Sequence, residues 1–484
     1  MRRQAGYAAL LAGLLLGGCS LAPAYKAPEV PLAAQYRNAG PWTPARPADQ
    51  LPREGWWQLY GDAQLDQLEQ RLLQRNASLE AALAHYQQSR ALLAQVRSDL
   101  FPHLALGGSA LRNRQSDTRP LRGADSPSWY NAATLGATAG YEVDLWGRVS
   151  NAVAAGSAEE QAAAADLASV RLSLEAQLAD SYLALLGLDR QLELLRESVA
   201  AYEHALRMTQ TLHGAGIVSG LDTSRAQTQL SSARSLQGQI QGQRELLEHA
   251  IAVLVGESAS SFSLAALSTL PPVPAIPPGV PSTLLQRRPD IAAAERRVAE
   301  ANAQIGVARA AWFPALTLGV QGGFQSDTYG GLLTASNLFW AIGPALAVDL
   351  FDGGRREAVV EQARAATDEA GAKYRDVVLA AFQQVEDSQS LLIEQGAALV
   401  DQAAAADAAQ HTLDMSLDRY KQGAVSYLDV TVAQTAALQA QMSLLDLQSR
   451  QLRASVQLVR ALGGGWSVPQ ATAQGAAAAG DGGA

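Results

Sequence analysis

Cysteine occurs once in this 484-residue chain, at Cys19, which leaves no material for disulfides, thiol redox chemistry or cysteine-based zinc sites. The six histidines (His85, His103, His204, His213, His249 and His411) are scattered, none with a carboxylate or second histidine at ligand spacing, so no metal centre is expected. The tract Gly136 to Gly140 lacks dinucleotide-binding spacing, there is no phosphate-loop lysine motif, and no spacing among the carboxylates singles out an acid–base dyad. An enzyme is therefore not expected, nor is a cofactor. A net charge of −9 with dispersed basic residues gives no phosphate-binding stripe, which argues against nucleic acid. Beyond residue 19 no run reaches the roughly 18 apolar residues of a membrane helix, which excludes helical spans and leaves a membrane β-barrel open.

What is present is one plan written twice. Phe101-Pro102 recurs as Phe313-Pro314. Asp144-Leu145, followed by Trp146-Gly147-Arg148, recurs as Asp349-Leu350, followed by Phe351-Asp352-Gly353-Gly354-Arg355. Gly216 to Asp222 recurs as Gly423 to Asp429. Each copy joins a pair of alternating segments to an alanine-rich helical tract longer than a globular core needs.

The alternating segments are 134–145, 316–324, 340–350 and, most weakly, 103–112. One face carries Leu135, Ala137, Ala139, Tyr141 and Val143, then Leu316, Leu318, Val320 and Phe324, then Trp340, Ile342, Leu346, Val348 and Leu350, and Leu104 and Leu106 in the weakest run. The other face holds Gly, Thr, Ala and Gln, with two carboxylates, Glu142 and Asp144, sharing it in the first run and Asp349 in the last. Their length and one-sided apolarity suit tilted membrane strands, and Phe101, Trp129, Trp146, Trp312, Phe313 and Phe351 flank them as interfacial aromatics do. A soluble sheet with one buried face would alternate in the same way. In lipid, four strands cannot close a useful barrel and open edges are not tolerated, so several chains would pool strands; three would supply twelve.

Two proline-free tracts, about 150–212 and 356–421, keep apolar residues at three-and-four spacing. At ~1.5 Å per residue each approaches 100 Å, and their alanine content suits close coiled-coil packing. Shorter helices are predicted over 62–100, 221–256, 289–312 and 427–462, stacked end to end beside the long ones, with breaks at the Pro-rich stretch 271–281 and, in the other half, around Trp56-Trp57 and beyond Gly463. Arg287-Arg288-Pro289-Asp290 reads as a helix start in an equatorial belt. Between long and short helices, Gly214, Gly216 and Gly423 can take left-handed values, and Ser219 and Ser426 can serve as N-caps. These turns would be the mouth, with Gly216, Ser219, Asp222, Gly423, Val425, Tyr427 and Asp429 as tip or gate candidates.

The predicted organisation is a signal peptide (1–18), an N-terminal arm (19–61), a first repeat (62–270, strand hairpin about 103–145, tip turn 213–220), an equatorial linker (271–288), a second repeat (289–462, strand hairpin about 314–350, tip turn 421–427) and a C-terminal tail (463–484). Arg2 and Arg3, the apolar run Ala8 to Leu16 and Leu16-Gly17-Gly18-Cys19 are the parts of an export signal, and the last four residues resemble a bacterial lipobox. That resemblance implies N-palmitoyl and S-diacylglycerol lipid on Cys19, with Ser20 directing the chain to the outer membrane; an ordinary signal with an incidental cysteine is the alternative.

The lipobox, the duplication, Leu285-Gln286-Arg287-Arg288-Pro289-Asp290-Ile291, the tract Ala303 to Pro314, and Tyr420-Lys421-Gln422-Gly423 with Tyr427-Leu428-Asp429 together resemble the outer membrane efflux protein family, in particular its NodT-type lipoprotein branch. The resemblance implies a homotrimer combining a twelve-stranded transmembrane β-barrel with an all-α coiled-coil barrel in the periplasm. It also implies a membrane fusion (adaptor) protein and an inner-membrane, proton-driven resistance-nodulation-division transporter as partners, and outer-membrane lipid around the barrel. Several members of the family place an acidic residue where this chain has Val425, which puts an acidic gate in question here. Export of a polypeptide, or an anchored coiled-coil scaffold without a pore, are the competing readings.

Overall fold

The computed structural model describes residues 20–31, 55–116, 118, 123, 126–267, 269–276 and 287–464. Cys19 and the signal peptide, most of the arm, part of the linker and the tail beyond 464 lie outside the described residues. The chain divides into two compact units: Met1–Glu29, His85–Ala164 and Ala293–Arg375 form the first, and Val30–Ala84, Ala165–Ala292 and Asp376–Ala484 the second.

The elements follow the duplicated plan closely. A 3-10 turn, Trp56–Tyr60, precedes α1 (Ala63–Arg75) and α2 (Ala77–Ser98); then come β1 (His103–Arg114), β2 (Trp129–Val143), α3 (Arg148–Gly214) and α4 (Gly220–Leu254). The second half runs α5 (Pro289–Ala310), β3 (Ala315–Ser326), β4 (Leu338–Ala347), α6 (Arg355–Lys421) and α7 (Tyr427–Ala461). The helix entering each strand pair has 22 residues, the one leaving has 67 and the returning one has 35, in both halves. The duplication has kept helix length, not merely motif.

In the first unit the four strands form one antiparallel sheet in the order β1-β2-β3-β4, with β1 and β4 at its edges. Directly paired residues share a face, so the register Leu104↔Ala139, Ala139↔Val320 and Val320↔Ile342 puts the expected apolar sets of all four strands on one side. That side is bare: Leu104 is 79% exposed, Trp340 73% and Ile342 69%, values foreign to a sheet packed on its own core. The strands differ from expectation at their ends. β2 begins at Trp129, and β4 stops at Ala347, because the chain then turns through Gly353 and Gly354, both at positive φ. Pro344, which cannot donate to a ladder, sits within β4 and is accommodated at an edge.

Each long helix starts on an aspartate. Asp144 accepts from the N–H groups of Val149 (3.1 Å) and Ser150 (2.7 Å). In the second half Asp352, rather than the motif-matched Asp349, accepts from Gly354 and Arg356 (both 3.0 Å) and pairs with the Arg356 guanidinium at 2.7 Å. A carboxylate at this end satisfies free N–H groups and favours the helix dipole. The residues after Cys19 also dock in this unit: Ser20 donates to Asn151 (2.8 Å), Arg309 donates to the Leu21 carbonyl (3.1 Å), Asn302 to that of Pro23 (2.9 Å), and Tyr25 to Glu295.

Glu300 on α5 lies half-buried and hydrogen-bonded to Glu159 on α3; burial first, then the neighbouring carboxylate, raises it to about 7. A raised carboxyl favours the folded state at low pH, and that advantage fades as pH climbs from about 4.5 through 7. Glu300→Gln is expected to flatten the pH dependence of thermal stability across this window; an unchanged slope in a melting series from pH 4.5 to 8 would refute the coupling.

The second unit has its main core where Trp56, Trp57, Tyr60, Leu65, Leu68 and Leu72 meet Leu178, Tyr182, Leu185, Leu186, Ile251, Val456 and Val459. Two expectations are corrected here. The segment 62–100 is two helices, because Asn76 breaks it: its side chain accepts from the Leu79 N–H (2.9 Å) and donates to the Leu254 carbonyl (2.8 Å). The end-to-end partners are also exchanged. The end of α4 meets the Asn76 break, with Gly256 against the Arg75 carbonyl, and the end of α7 meets the start of α5, with Gly463 against the Arg287 carbonyl. The segment following α4 cannot continue that helix because it folds back along it. Buried Arg244 holds the Leu264 carbonyl (2.7 Å) and Asp189 (2.6 Å), while Asp189 accepts from the Leu267 N–H (3.1 Å).

Candidate functional site

Both tip turns are built on one glycine. α3 ends at Gly214, and Gly216 takes φ 75°, closing the bond from the Ile217 N–H to the Leu212 carbonyl (2.9 Å). In the second half Gly423 takes the same φ of 75°, and the Ala424 N–H reaches the Arg419 carbonyl (2.9 Å). This is the left-handed cap that glycine adopts without a Cβ penalty. Gly214, the other glycine expected to turn, is simply the last helical residue.

Ser219 and Ser426 occupy the N-cap positions of α4 and α7 in extended conformation. Their partners are the aspartates three residues on. Asp429 accepts from both the N–H (3.0 Å) and the hydroxyl (2.7 Å) of Ser426. The Ser219 hydroxyl donates to Asp222 (3.2 Å), which also pairs with Arg225 (3.4 Å). The Ser426 hydroxyl and N–H hold Asp429 below the ordinary carboxylate range. Its capping contribution is present at neutral pH and is lost as pH falls below about 4. Asp429→Ala is therefore expected to speed amide exchange over residues 427–431 at pH 7 and to leave it unaltered at pH 3; equal acceleration at both pH values would contradict this role.

Behind the turns the two hairpins share a core. Tyr427, 2% exposed, and Val430 pack with Tyr202, Leu206, Ala226 and Leu230. Tyr420 and Tyr427 meet edge to face at 5.4 Å. Burial pushes the Tyr427 hydroxyl up to about 12. Gln229 crosses to Thr435 (2.8 Å) and Tyr202 to the Gln434 carbonyl (3.3 Å). Val425 is half-buried, while Ile217, Leu221, Leu428 and Val432 are exposed. The structure thus brings the tip candidates together in two equivalent turns on one core. It adds Tyr202, Tyr420 and Arg225, which sequence periodicity did not single out; the Tyr420-to-Tyr427 spacing of one heptad across the turn was the available signal.

Arg287, Arg288, Pro289 and Asp290 sit elsewhere in the second unit, and Pro289 does open α5 as expected. Arg288 is buried and donates to Asp290 (3.0 and 2.5 Å), to Gln384 (2.9 Å) and to the Ala461 carbonyl (3.0 Å) at the end of α7. It is a clamp joining α5, α6 and α7, with its cation at the negative end of a helix. Among the described residues no cluster of His, Cys, Asp and Glu is placed to hold a metal, and no helix is long and apolar enough to cross a membrane.

An apolar sheet face open to its surroundings, two unpaired edges and duplicated helical hairpins define a protomer of an oligomeric membrane channel, since only a closed ring of strands satisfies the backbone in lipid. The model of the family described as outer membrane efflux protein matches residues 68–257 and 280–464, and the chain belongs to that family. It is similar to the antibiotic efflux pump outer membrane protein ArpC of Pseudomonas putida, with 33% identity over 460 residues covering 93% of this chain and 94% of that one. It is also similar to the pyoverdine export outer membrane protein OpmQ of Pseudomonas aeruginosa, with 32% identity covering 94% and 95%. Among solved structures, the open state of the MtrE outer membrane channel of Neisseria gonorrhoeae superposes with a TM-score of 0.81 at 26% identity, covering 92% and 98%. The protein is accordingly an outer-membrane channel component of tripartite efflux systems, a transport protein whose sheet is completed to a barrel by trimerisation.

Proposed function

We propose that the trimer is a passive duct that expels small toxic molecules delivered from below, anchored by lipid on Cys19 and gated at its paired tip turns. The carrying observation is the sheet: twelve strands from three copies make a ring whose outside is the bare apolar face and whose inside is the small, polar one. Work is done elsewhere, by a proton-driven inner-membrane transporter coupled through a periplasmic adaptor. The names of the relatives, which concern antibiotics, toluene and pyoverdine, support small molecules as cargo.

Two local observations support the finer points. Ser20 and Leu21 dock on Asn151, in the first turn of α3 just after β2, and on Arg309, in the last turn of α5 just before β3. A lipid on the adjoining Cys19 would enter the leaflet beside the strands. At the tips, Val425 is a half-buried apolar residue in the second turn, so the constriction here is apolar and obstructs by excluding water. Opening follows from adaptor contacts that favour one arrangement of the hairpins over another.

Deleting the gene in its host is expected to raise susceptibility to drugs or organic solvents, with recovery on re-expression. Unchanged susceptibility together with a lost secreted polypeptide would favour protein export instead. In planar bilayers, Val425→Asp is expected to raise closed-state conductance; if substitution of Val425 changes neither conductance nor efflux, the gate lies elsewhere. Cys19→Ala is expected to lose the palmitate label.

A further inference from the structure

The bare side of the sheet changes character at the strand ends that lie away from the helices. On β2 this side carries no charge from Val143, nearest the helices, to Ala133, which pairs with Ala110. Those ten steps rise about 26 Å at ~3.4 Å per residue and a tilt of about 40°, the height of the apolar band of a membrane barrel. Beyond it Arg112 pairs with Asn131 and Arg114 with Trp129, in a ladder whose register is unbroken from His103. Both arginines therefore stand on the lipid side, about 5 and 10 Å above the edge of the band.

The two guanidiniums share one ring: Cζ of Arg112 lies 5.7 Å and that of Arg114 5.6 Å from the centre of Trp129. All three side chains are exposed, Trp129 at 57%. Neither arginine has an ion-pair partner among the described residues, and no paired position on this side of the sheet is a carboxylate. At the same height the other side carries Leu111, Asn113 and Tyr130, all uncharged. A strand end that needed charge only for solubility would place it toward the wet bore; here it is on the side that meets the leaflet. Two like charges on one ring repel, and an anion between them turns that repulsion into attraction. The cation–π contacts hold the pair in position before any anion arrives.

We propose that Arg112, Arg114 and Trp129 form a binding site on each protomer for the phosphorylated sugar headgroup of lipid A, the glycolipid of an outer membrane's outer leaflet. The inference rests on the proposed periplasmic placement of the helices, which sets this end of the hairpin in that leaflet. Two forked cations about 7 Å apart along the strand suit the oxygens of a phosphate-rich headgroup. The exposed indole between them offers a flat apolar surface on which a sugar ring can lie. A phosphatidylglycerol headgroup supplies one phosphate and no ring.

The test titrates bisphosphorylated lipid A into the purified trimer in non-ionic detergent, beside the same lipid stripped of its phosphates and phosphatidylglycerol. Arg112→Gln combined with Arg114→Gln is expected to weaken lipid A binding about tenfold and to leave the weak binding of the phosphate-free lipid unaltered. Asn113→Asp, on the other side of β1, is expected to bind as the unsubstituted protein does. Equal affinity of the double variant and its parent overturns the site, as do phosphatidylglycerol bound as tightly as lipid A and displacement of lipid A by excess inorganic phosphate. Should the double variant fail to assemble, Trp129→Leu serves: it is expected to weaken binding about threefold, and behaviour equal to that of Asn113→Asp would also sink the site. Placement is checked separately with Thr118→Cys, at an exposed position of the same hairpin end, which is expected to react with a membrane-impermeant maleimide on intact cells. Labelling together with unaltered affinities overturns the site and leaves the channel reading intact; absence of labelling overturns the proposed placement and the site with it.

Discussion

Arginine at Ile342 is expected to empty the outer-membrane fraction of trimer, while arginine at the adjacent Ala341 leaves trimer and insertion intact. The two residues are neighbours in β4 and differ only in the face they occupy. Ile342 is level with Val320 and Ala139 on the bare apolar side; Ala341 is level with Gln321 and Thr138 on the other. A guanidinium on the lipid side near mid-strand costs about 2–4 kcal/mol, against far less on a wet wall. The trimer incurs it three times. Heat-modifiable mobility on gels and membrane fractionation give the readout. Equal tolerance of both arginines would mean that the apolar side does not face hydrocarbon, and the barrel would fall with it.

Replacing Arg288 with methionine is expected to lower the thermal transition of the second unit without removing any residue from the tips. The side chain is 9% exposed and holds Asp290, Gln384 and the terminal carbonyl of α7. Its loss leaves the Ala461 carbonyl and the Gln384 amide oxygen without this donor, and leaves the Asp290 carboxylate with the Ile291 N–H but no cation. The cost is expected at about 3 kcal/mol, the low end for a broken buried pair, because Asp290 keeps 32% of its side-chain surface in solvent. Lysine is not expected to rescue, since one ammonium cannot reproduce a fork that bonds three groups at once. Calorimetry on the extracted trimer checks both variants, and a transition unchanged in Arg288→Met would reduce the Arg-Arg-Pro-Asp tract to a helix start.

Much of this was legible beforehand because it depends on local periodicity. Alternation fixed which residues share a sheet face, and left-handed glycines at Gly216 and Gly423 marked the reversals. What escaped depends on partners distant in sequence. Asn76 looks like an ordinary polar position until Leu254 supplies the carbonyl that its amide needs. The matched Asp349 proved idle as a cap and Asp352 active, because two added residues before α6 move the N–H groups to be satisfied. The stacking of short helices was assigned across the two halves, since the prolines between α4 and α5 suggested a simple junction, whereas the helices stack within each half, α4 on α2 and α7 on α5. Nothing local reveals that the segment after α4 returns along its own helix to Arg244 and Asp189.

The side of the sheet lined by Thr134, Thr138, Gln321, Gln325 and glycines bears one carboxylate among its paired positions, Glu142, already neutralised by Arg148 at 2.7 Å. Such a surface sets up almost no standing field along the bore. Ionic selectivity, where the whole channel shows it as a reversal potential in unequal salt, is then expected to arise in the helical part and not along the strands.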